Sequence, residues 1–253
     1  MSTIAIYNIK GGVGKTATTV NLAYLSALNG YKTLVWDMDP QAAASFYFRI
    51  KPKIKGGVKR LVKPKTNIEE HIKGTDYPML DLLPADFSSR NLDLILEDTK
   101  KPTKCIAKLL APLAYDYDLI YIDCAPSISL VSENIFRATD IMLVPTIPTT
   151  LSLRTLKQIY RYFIDEKLNA SRLYPFFSMV DSRRQMHRMI TDRPPNAPVK
   201  FLNTQVPYMS EIERMGLDRK PACTAPASRA ARIYGSLWHE LIDIADQLKL
   251  GSL

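Results

Sequence analysis

The chain has 253 residues, enough for one large domain with a full core, and its 46% hydrophobic and 23% charged residues exclude a disordered protein. Thirty-four Lys and Arg residues against 25 Asp and Glu residues give a net charge of +9, which favours a polyanionic partner, with nucleic acid first. The three cysteines are too few and too widely spaced for a disulfide framework or a CxxC metal site, which indicates a reducing cytosol.

Short β-rich runs alternate with helical patterns along the chain. In chain order the patterns predict strand 3–8, helix 15–28, strands 33–37 and 79–83, helix 88–96, strand 119–123, helix 130–137, strand 141–145, helix 153–163, strands 173–180 and 199–206, and helix 228–248. No linker or repeat divides them. We therefore expect one α/β domain over residues 1–253, a doubly wound, mainly parallel β-sheet flanked by helices.

A glycine loop joins the first strand to the first helix, with the sequence KGGVGKT over residues 10–16. Glycines let backbone N–H groups turn inward around phosphate oxygens, and the helix amino terminus adds a dipole that favours negative charge. Lys15 is then placed to neutralise the β- and γ-phosphates, and the Thr16 hydroxyl to ligate Mg²⁺. The loop predicts ATP and Mg²⁺ as cofactors. It departs from the usual Walker A pattern, with Ile9 in place of a glycine and Lys10 after it.

Acidic residues lie at the ends of two predicted strands. Asp37 and Asp39 follow the second strand, and Asp123 closes the strand at 119–123. Because carboxyl ends of parallel strands share one edge of a sheet, we expect all three carboxylates beside the glycine loop.

One segment differs in composition from the rest of the chain. Residues 49–65 contain eight basic residues and no acidic one. A solvated loop is the plainer interpretation. Contact with a polyanion, or docking of a partner, stays open.

Five segments together resemble the ParA/MinD family of ATPases with a deviant Walker A motif, in its ParA-like (Soj-like) branch. They are the loop at 10–16, VWDMDPQ at 35–41, YDLIYIDCAPS at 117–127, FSMVDSR at 177–183 and VPY at 206–208. The likeness spans residues 5 to about 230, in the family's order and spacing. It departs at Ala125, where many members carry a second proline, and the segment 49–65 is not a family signature.

The resemblance implies roles for individual residues. Lys10 would reach across a dimer interface to the partner's nucleotide, so that hydrolysis requires a homodimer. Asp39 would position the attacking water, and Asp37 and Asp123 would hold Mg²⁺ together with Thr16. The catalytic set is thus Lys10, Lys15 and Asp39. The other implied nucleotide contacts are Gly11, Gly12, Val13, Gly14, Ala17, Asp181, Val206, Pro207 and Met209.

The resemblance also implies a cycle in which an ATP-closed dimer binds double-stranded DNA without sequence preference. Slow hydrolysis, stimulated by a ParB-like or other cargo adaptor protein, would release it. The cargo would be a plasmid, a chromosome segment or a large protein assembly. The protein itself would be associated with the nucleoid in a bacterial cytoplasm. The expected DNA contacts are Arg183, Arg184, Arg188, Arg219, Lys220, Arg229 and Arg232.

Two alternative uses of such an ATPase core stay in view. A MinD-like membrane regulator ends in a basic amphipathic helix, whereas the polar face of the last helix here is mostly acidic, so we expect no stable membrane binding. Instead we expect that helix to dock on the core through Leu237, Trp238, Leu241, Ile244 and Leu248. Reductase or metal-transfer work needs paired cysteines, and Cys124 has no second cysteine nearby. The chain enters its first strand at once, which predicts neither a secretion signal nor a DNA-binding domain ahead of it.

Overall fold

A mainly parallel β-sheet organises the chain in a computed structural model that describes residues 1–63, 67–193, 197 and 199–250. Within these residues the strands run in the spatial order β3-β4-β2-β5-β1-β6-β7-β8, and all pairs are parallel except β3 with β4. The strands are β1 (Ser2–Ile6), β2 (Thr33–Asp37), β3 (Lys73–Gly74), β4 (Leu80–Leu83), β5 (Leu119–Asp123), β6 (Ile141–Thr146), β7 (Leu173–Val180) and β8 (Val206–Pro207).

Helices connect the strands and cover the sheet. The described α-helices are α1 (Lys15–Leu28), α2 (Ala43–Tyr47), α3 (Val58–Leu61), α4 (Leu92–Glu97), α5 (Cys105–Leu110), α6 (Leu130–Ala138), α7 (Thr150–Asp165), α8 (Gln185–Asp192), α9 (Ser210–Asp218) and α10 (Arg229–Leu250). Short 3₁₀ helices lie at Ile68–His71, Phe87–Asn91, Pro102–Lys104, Ala111–Tyr115, Ala170–Arg172 and Ala222–Thr224.

Both faces of the sheet are buried, as the continuous apolar strands require. Ile4 and Ile6 of β1 belong to one cluster of core residues, which includes side chains of α1, α2, α9 and α10. Ala5 and Tyr7, pointing the other way, belong to a second cluster with side chains of α3 to α7. This three-layer arrangement confirms the predicted doubly wound fold and brings the carboxyl ends of β1, β2 and β5 together.

Two predicted elements are wrong in part. The strand expected at 199–206 is reduced to β8, because the Glu240 carboxylate accepts the backbone N–H groups of Asn203 (2.8 Å) and Thr204 (2.7 Å) in place of a strand neighbour. The helix expected at 88–96 begins as the 3₁₀ helix Phe87–Asn91, whose first turn is capped by Asp86, and becomes α-helical only in α4.

The last helix docks on the core over most of its length. Leu237, Trp238 and Leu241 are buried as expected, and Ile244 is partly buried. Leu248 is 42% exposed, which corrects its expected docking role, because the final turn extends past the packed layer and residues 246–250 are all exposed. No helix in the described ranges is long and apolar enough to cross a bilayer.

Candidate functional site

The glycine loop is held open by its neighbours. The side chain of Asn8 accepts the Lys10 backbone N–H (2.9 Å) and donates to the carbonyl of Pro145 (2.9 Å), which ties the loop to the end of β6. Gly12 and Gly14 have φ of 69° and 91°, the left-handed region that favours glycine. A Cβ on Gly14 would lie 3.0 Å from the hydroxyl of Ser178, which itself donates to the carbonyl of Val13 (2.9 Å). The loop is therefore shaped for backbone N–H groups, as a phosphate cradle requires.

The two loop lysines differ in placement. Lys15 opens α1 and is 7% exposed, and its ammonium donates to the carbonyl of Lys10 (3.2 Å) inside the loop. Burial lowers the pKa of Lys15, and the nearby negative charge of Asp123 acts in the opposite direction. The ammonium of Lys10 instead donates to the hydroxyl of Ser152 (3.4 Å) at the start of α7. One lysine thus lies in the cradle and the other beside it.

Two carboxylates face each other across adjacent strands. Asp37 of β2 is directly opposite Asp123 of β5, and both are at least 99% buried. Ser45 of α2 donates to Asp37 through its backbone N–H (2.8 Å) and its hydroxyl (2.7 Å). Burial raises the pKa of Asp37 to about 6 in spite of these bonds. Burial, followed by repulsion from Asp37, raises the pKa of Asp123 well above its usual value. A nearby positive charge would therefore stabilise the ionised form of both carboxylates.

Asp123 offers a place for that charge. Its Oδ1 accepts the hydroxyl of Thr19 (3.2 Å), and the Thr16 hydroxyl lies near enough to lower its pKa, whereas the buried Oδ2 has no hydrogen-bond partner among the described residues. An orphaned buried carboxylate oxygen is costly, and a cation or its water offsets the cost. No group of three His, Cys, Asp or Glu side chains in the described ranges could hold a metal unaided. The residues fit a Mg²⁺ that brings phosphate oxygens and waters as its other ligands.

Asp39 lies two residues beyond the strand and is less buried than the pair. Its Oδ1 accepts the backbone N–H of Gln41 (2.9 Å), and its own N–H donates to Asp37 (3.3 Å). After burial and Asp37, its negative charge also contributes to the raised pKa of Asp123, and it acts against the lowering of the Lys15 pKa by burial, so the partly exposed Asp39 lies near both groups. All three acids expected from the strand ends therefore meet beside the glycine loop.

The expected nucleotide contacts outside the glycine loop, at 181 and 206–209, fall into two groups. Asp181 and Pro207 line a cavity of about 420 Å³ that also includes Arg183 and Arg229. Arg183 donates to both carboxylate oxygens of Asp181 (2.9 and 3.0 Å), and these bonds lower the pKa of Asp181 to about 2. Val206 and Met209, in contrast, are buried in the core, so only their backbone could reach a ligand.

The seven basic residues expected to contact DNA lie in three stretches of the chain, 183–188, 219–220 and 229–232. Around the Asp181 cavity, Arg184 lies 3.5 Å from the Asp181 carboxylate, and Arg188 donates to the carbonyl of Ser182. Arg219 and Lys220 follow α9, where Arg219 lies over the ring of Phe46 and Lys220 pairs with Asp218 (3.8 Å). Arg232 is exposed on α10, three residues after Arg229.

Supporting residues of the site were missed at the sequence level. Asn8, Ser45, Ser152 and Ser178 orient the loop, Asp37 and Lys10, yet each is a common polar residue without a motif spacing of its own. Only their buried positions in the folded chain identify them.

The cysteines do not form a cluster site. Cys124 and Cys223 are buried, and burial raises the pKa of both thiols, to about 12 for Cys223. Cys105 is partly exposed and contacts the Thr99 hydroxyl (3.3 Å). A high thiol pKa is typical of inert structural cysteines.

Comparisons with known proteins identify a family, related sequences and solved structures of similar fold. The sequence model of the AAA domain family matches residues 1–172. The sporulation initiation inhibitor protein Soj of Bacillus subtilis (strain 168) is 29% identical over 94% of this chain and 97% of its own. The chromosome partitioning protein ParA of Myxococcus xanthus (strain DK1622) is 36% identical over 62% of this chain and 56% of its own. A solved cobyrinic acid a,c-diamide synthase of Mycobacterium smegmatis, with bound ADP and magnesium, superposes with a TM-score of 0.79 at 24% identity, covering 96% of this chain and 94% of that one, a likeness of fold alone.

Proposed function

Because this chain belongs to the ParA/MinD family of P-loop ATPases, we propose that it hydrolyses ATP to position a large cargo. In this proposal ATP closes a homodimer, the dimer binds double-stranded DNA without sequence preference, and hydrolysis releases it. The observation that carries the proposal is the buried Asp37–Asp123 pair, with its unpaired oxygen beside the Thr16 hydroxyl and the glycine cradle.

The nucleotide would lie in that cradle. Backbone N–H groups of residues 11–17 would surround the phosphates, and Lys15 would neutralise their charge. Mg²⁺ would be held by Thr16, Asp37 and Asp123, and when bound it neutralises charge on the phosphate oxygens. The ADP and magnesium bound to the Mycobacterium smegmatis protein of the same fold support this pair of cofactors. Asp181 and Pro207 would face the base.

Hydrolysis would require both subunits. Asp39, at the open side of the cluster, would orient the attacking water. Lys10 of one subunit would stabilise charge that develops on the phosphates held by the other, as a trans-acting arginine does in related phosphoryl transfer. Assembly would thereby depend on the phosphate state. Hydrolysis would be slow until an adaptor protein, ParB-like where the cargo is DNA, stimulates it.

The relatives support a class of cargo for this proposal. Chromosome partitioning by the Myxococcus xanthus protein supports a DNA cargo here, and the net charge of +9 supports DNA as the track. A protein assembly carried over the nucleoid is the second candidate. In both cases the protein would work in a bacterial cytoplasm on the nucleoid.

One experiment tests the proposal directly. Retention on a random-sequence DNA duplex is measured with ATP and Mg²⁺, with ADP, and without nucleotide, over a salt series. We expect the protein to be retained with ATP and Mg²⁺ and not in the other two states. This retention should fall steeply with salt, because contacts to DNA phosphates are lost. Lys15→Ala should remove it by preventing ATP binding. Equal retention in all three nucleotide states would reject the switch, and ATP-dependent capture on anionic liposomes instead of DNA would favour the MinD-like alternative.

A further inference from the structure

The basic segment is fixed to the body of the protein over its described residues 49–63; Lys65 lies outside the described residues. Ile54, Val58 and Leu61 are buried in the core, 3%, 3% and 1% exposed. The N–H of Ile54 donates to the Asp86 carboxylate (2.8 Å), and that of Val58 to the Ser88 hydroxyl (2.8 Å). The segment is therefore not a freely solvated loop, and its charged side chains are presented from a fixed backbone.

Alternate residues of this segment line one cavity. Lys51, Lys53 and Lys55 lie around a cavity of about 750 Å³, together with Lys73 of β3 and His71. We call it the lysine cavity. Its one acidic lining residue, Glu70, lies 3.7 Å from the guanidinium of Arg60. None of the four lysines makes an ion pair with a carboxylate in the part of the chain that the structure describes. Four positive charges thus share one open cavity, with Glu70 in its lining and Asp86 near Lys53 as the acidic groups closest to them among those described.

His71 lines the lysine cavity and carries a buried ring nitrogen. Its side chain is 5% exposed, and Nε2 has no hydrogen-bond partner among the described residues. Burial, followed by the charge of Arg60, lowers the pKa of His71. A buried polar atom without a partner is costly. Because Nε2 is itself inaccessible to solvent, the attraction of the cavity for an anion comes from its lysines.

The lysine cavity is joined to the basic residues after α9. The Arg49 guanidinium donates to the carbonyl of Arg219 (3.0 Å), and the Arg219 guanidinium donates to the carbonyl of Phe46 (3.1 Å). Both arginines have positive φ, 59° and 47°, so these two hydrogen bonds hold a strained backbone in place. The cavity begins at the next residue, Ile50. Lys220, the next residue after Arg219, pairs with Asp218 (3.8 Å).

We propose that the lysine cavity, joined through Arg49 to Arg219, binds the sugar–phosphate backbone of duplex DNA. This inference rests on the proposed function and assigns its DNA contact to a segment outside the family motifs. Lysines act as point charges toward phosphate, which suits sequence-independent contact. The described lining has no Phe, Tyr or Trp on which an unpaired base could stack, so the duplex is favoured over a single strand.

The test compares two variants with the same loss of charge. The cavity variant carries Lys51→Gln, Lys53→Gln, Lys55→Gln and Lys73→Gln. The control carries Lys100→Gln, Lys101→Gln, Lys104→Gln and Lys108→Gln, four exposed lysines around α5. Binding of a random-sequence duplex is measured with and without a non-hydrolysable ATP analogue over a salt series. We expect the cavity variant to bind about tenfold or more weakly, with a log–log salt slope reduced by about 3 to 4, and the control to resemble the wild type.

Binding of the ATP analogue separates the two hypotheses. Both variants should bind the analogue like the wild type, since none of the changed lysines lies at the glycine loop; if the cavity variant does not, the pair Lys51→Gln with Lys73→Gln replaces it. Equal loss of DNA binding in both variants, or none in the cavity variant, overturns the lysine cavity while the proposed ATPase cycle stands. If the cavity variant alone loses DNA binding, and loses it equally with and without the ATP analogue, the lysine cavity stands and the ATP switch is rejected. A wild type that binds no duplex in any state rejects both.

Discussion

The ammonium of Lys10 lies 3.4 Å from the hydroxyl of Ser152, at the amino end of α7 in its own chain. Ser152 is fully buried and also accepts the hydroxyl of the helix cap Thr149 (3.0 Å). The positive end of the helix dipole repels a cation at a helix amino terminus, so this hydrogen bond holds Lys10 only weakly. Phosphate oxygens of a neighbouring subunit would be a stronger partner. The geometry therefore leaves Lys10 available to a second subunit without an intramolecular bond of comparable strength to break.

The change Lys10→Ala tests that role. We expect ATP to bind as in the wild type, because Lys15 and the loop backbone remain, while dimerisation fails and phosphate release falls about a thousandfold or more, as when a trans-acting arginine is lost. Light scattering with an ATP analogue gives the assembly state, and a phosphate assay gives the rate. Lys157→Ala, exposed on the same helix α7, is the control. Full assembly and turnover in Lys10→Ala would remove the coupling on which the positioning hypothesis depends.

Substitutions at Gly11 and Gly14 should have different effects, on dimerisation at the first and on folding at the second. A Cβ on Gly11 would meet no atom within 4 Å, and its φ is outside the left-handed region, so Gly11→Val should leave folding and ATP binding intact. We expect it to block face-to-face assembly, where two loops approach closely. Gly14→Ala should instead cost about 1–3 kcal/mol of stability and weaken ATP binding in the single chain, because of its φ of 91° and the Ser178 contact. Thermal melting and ATP-analogue titration distinguish them; a Gly11→Val dimer of normal affinity would argue against the close approach.

Strand-level patterns predicted much of this site, and tertiary contacts supplied the rest. β2, β5, β7 and α1 have the bounds that their apolar runs and flanking signals indicate, which is why Asp37, Asp123 and the glycine loop were correctly brought together. The short helices α2, α3, α5, α8 and α9 were missed because four to nine residues give too little periodicity, and packing stabilises them more than propensity does.

The basic segment shows the same division between local and tertiary information. Its composition suggested a solvated loop, whereas Ile54, Val58 and Leu61 bury it and Asp86 and Ser88 hold its backbone. Those two acceptors lie about 30 residues further along the chain, so no local pattern could reveal them. The joining of Arg49 to Arg219 spans 170 positions and was equally hidden.

Asp39→Ala tests the water-positioning role. The side chain makes one described bond, to the backbone N–H of Gln41, so its loss should not disturb the fold. Since the Mg²⁺ ligands and both lysines remain, ATP should still close the dimer, while hydrolysis falls about a hundredfold or more without its oriented water. The dimer should therefore stay on DNA in a wash that releases the wild type. Asp165→Ala, at an exposed acid that ends α7, serves as the control for charge. Normal turnover by Asp39→Ala would reject the role.

Asp123→Asn tests whether the buried acids are kept for function at the expense of stability. The Thr19 hydroxyl can still donate to the amide oxygen, the amide nitrogen would take the place of the unpartnered Oδ2, and repulsion from Asp37 would be gone. Removing a buried charge that Asp37 repels, and that Lys15 offsets only in part, should stabilise the nucleotide-free protein by about 1–3 kcal/mol, a rise of about 2–8 °C in Tm in the presence of a chelator. The same change should abolish Mg²⁺-dependent hydrolysis and the extra stability that ATP with Mg²⁺ confers on the wild type. Thermal melts with chelator, and with ATP and Mg²⁺, read both effects. A lower Tm with chelator would mean that the carboxylate is already compensated within the chain, and the argument for a cation at Asp123 would lose its physical basis.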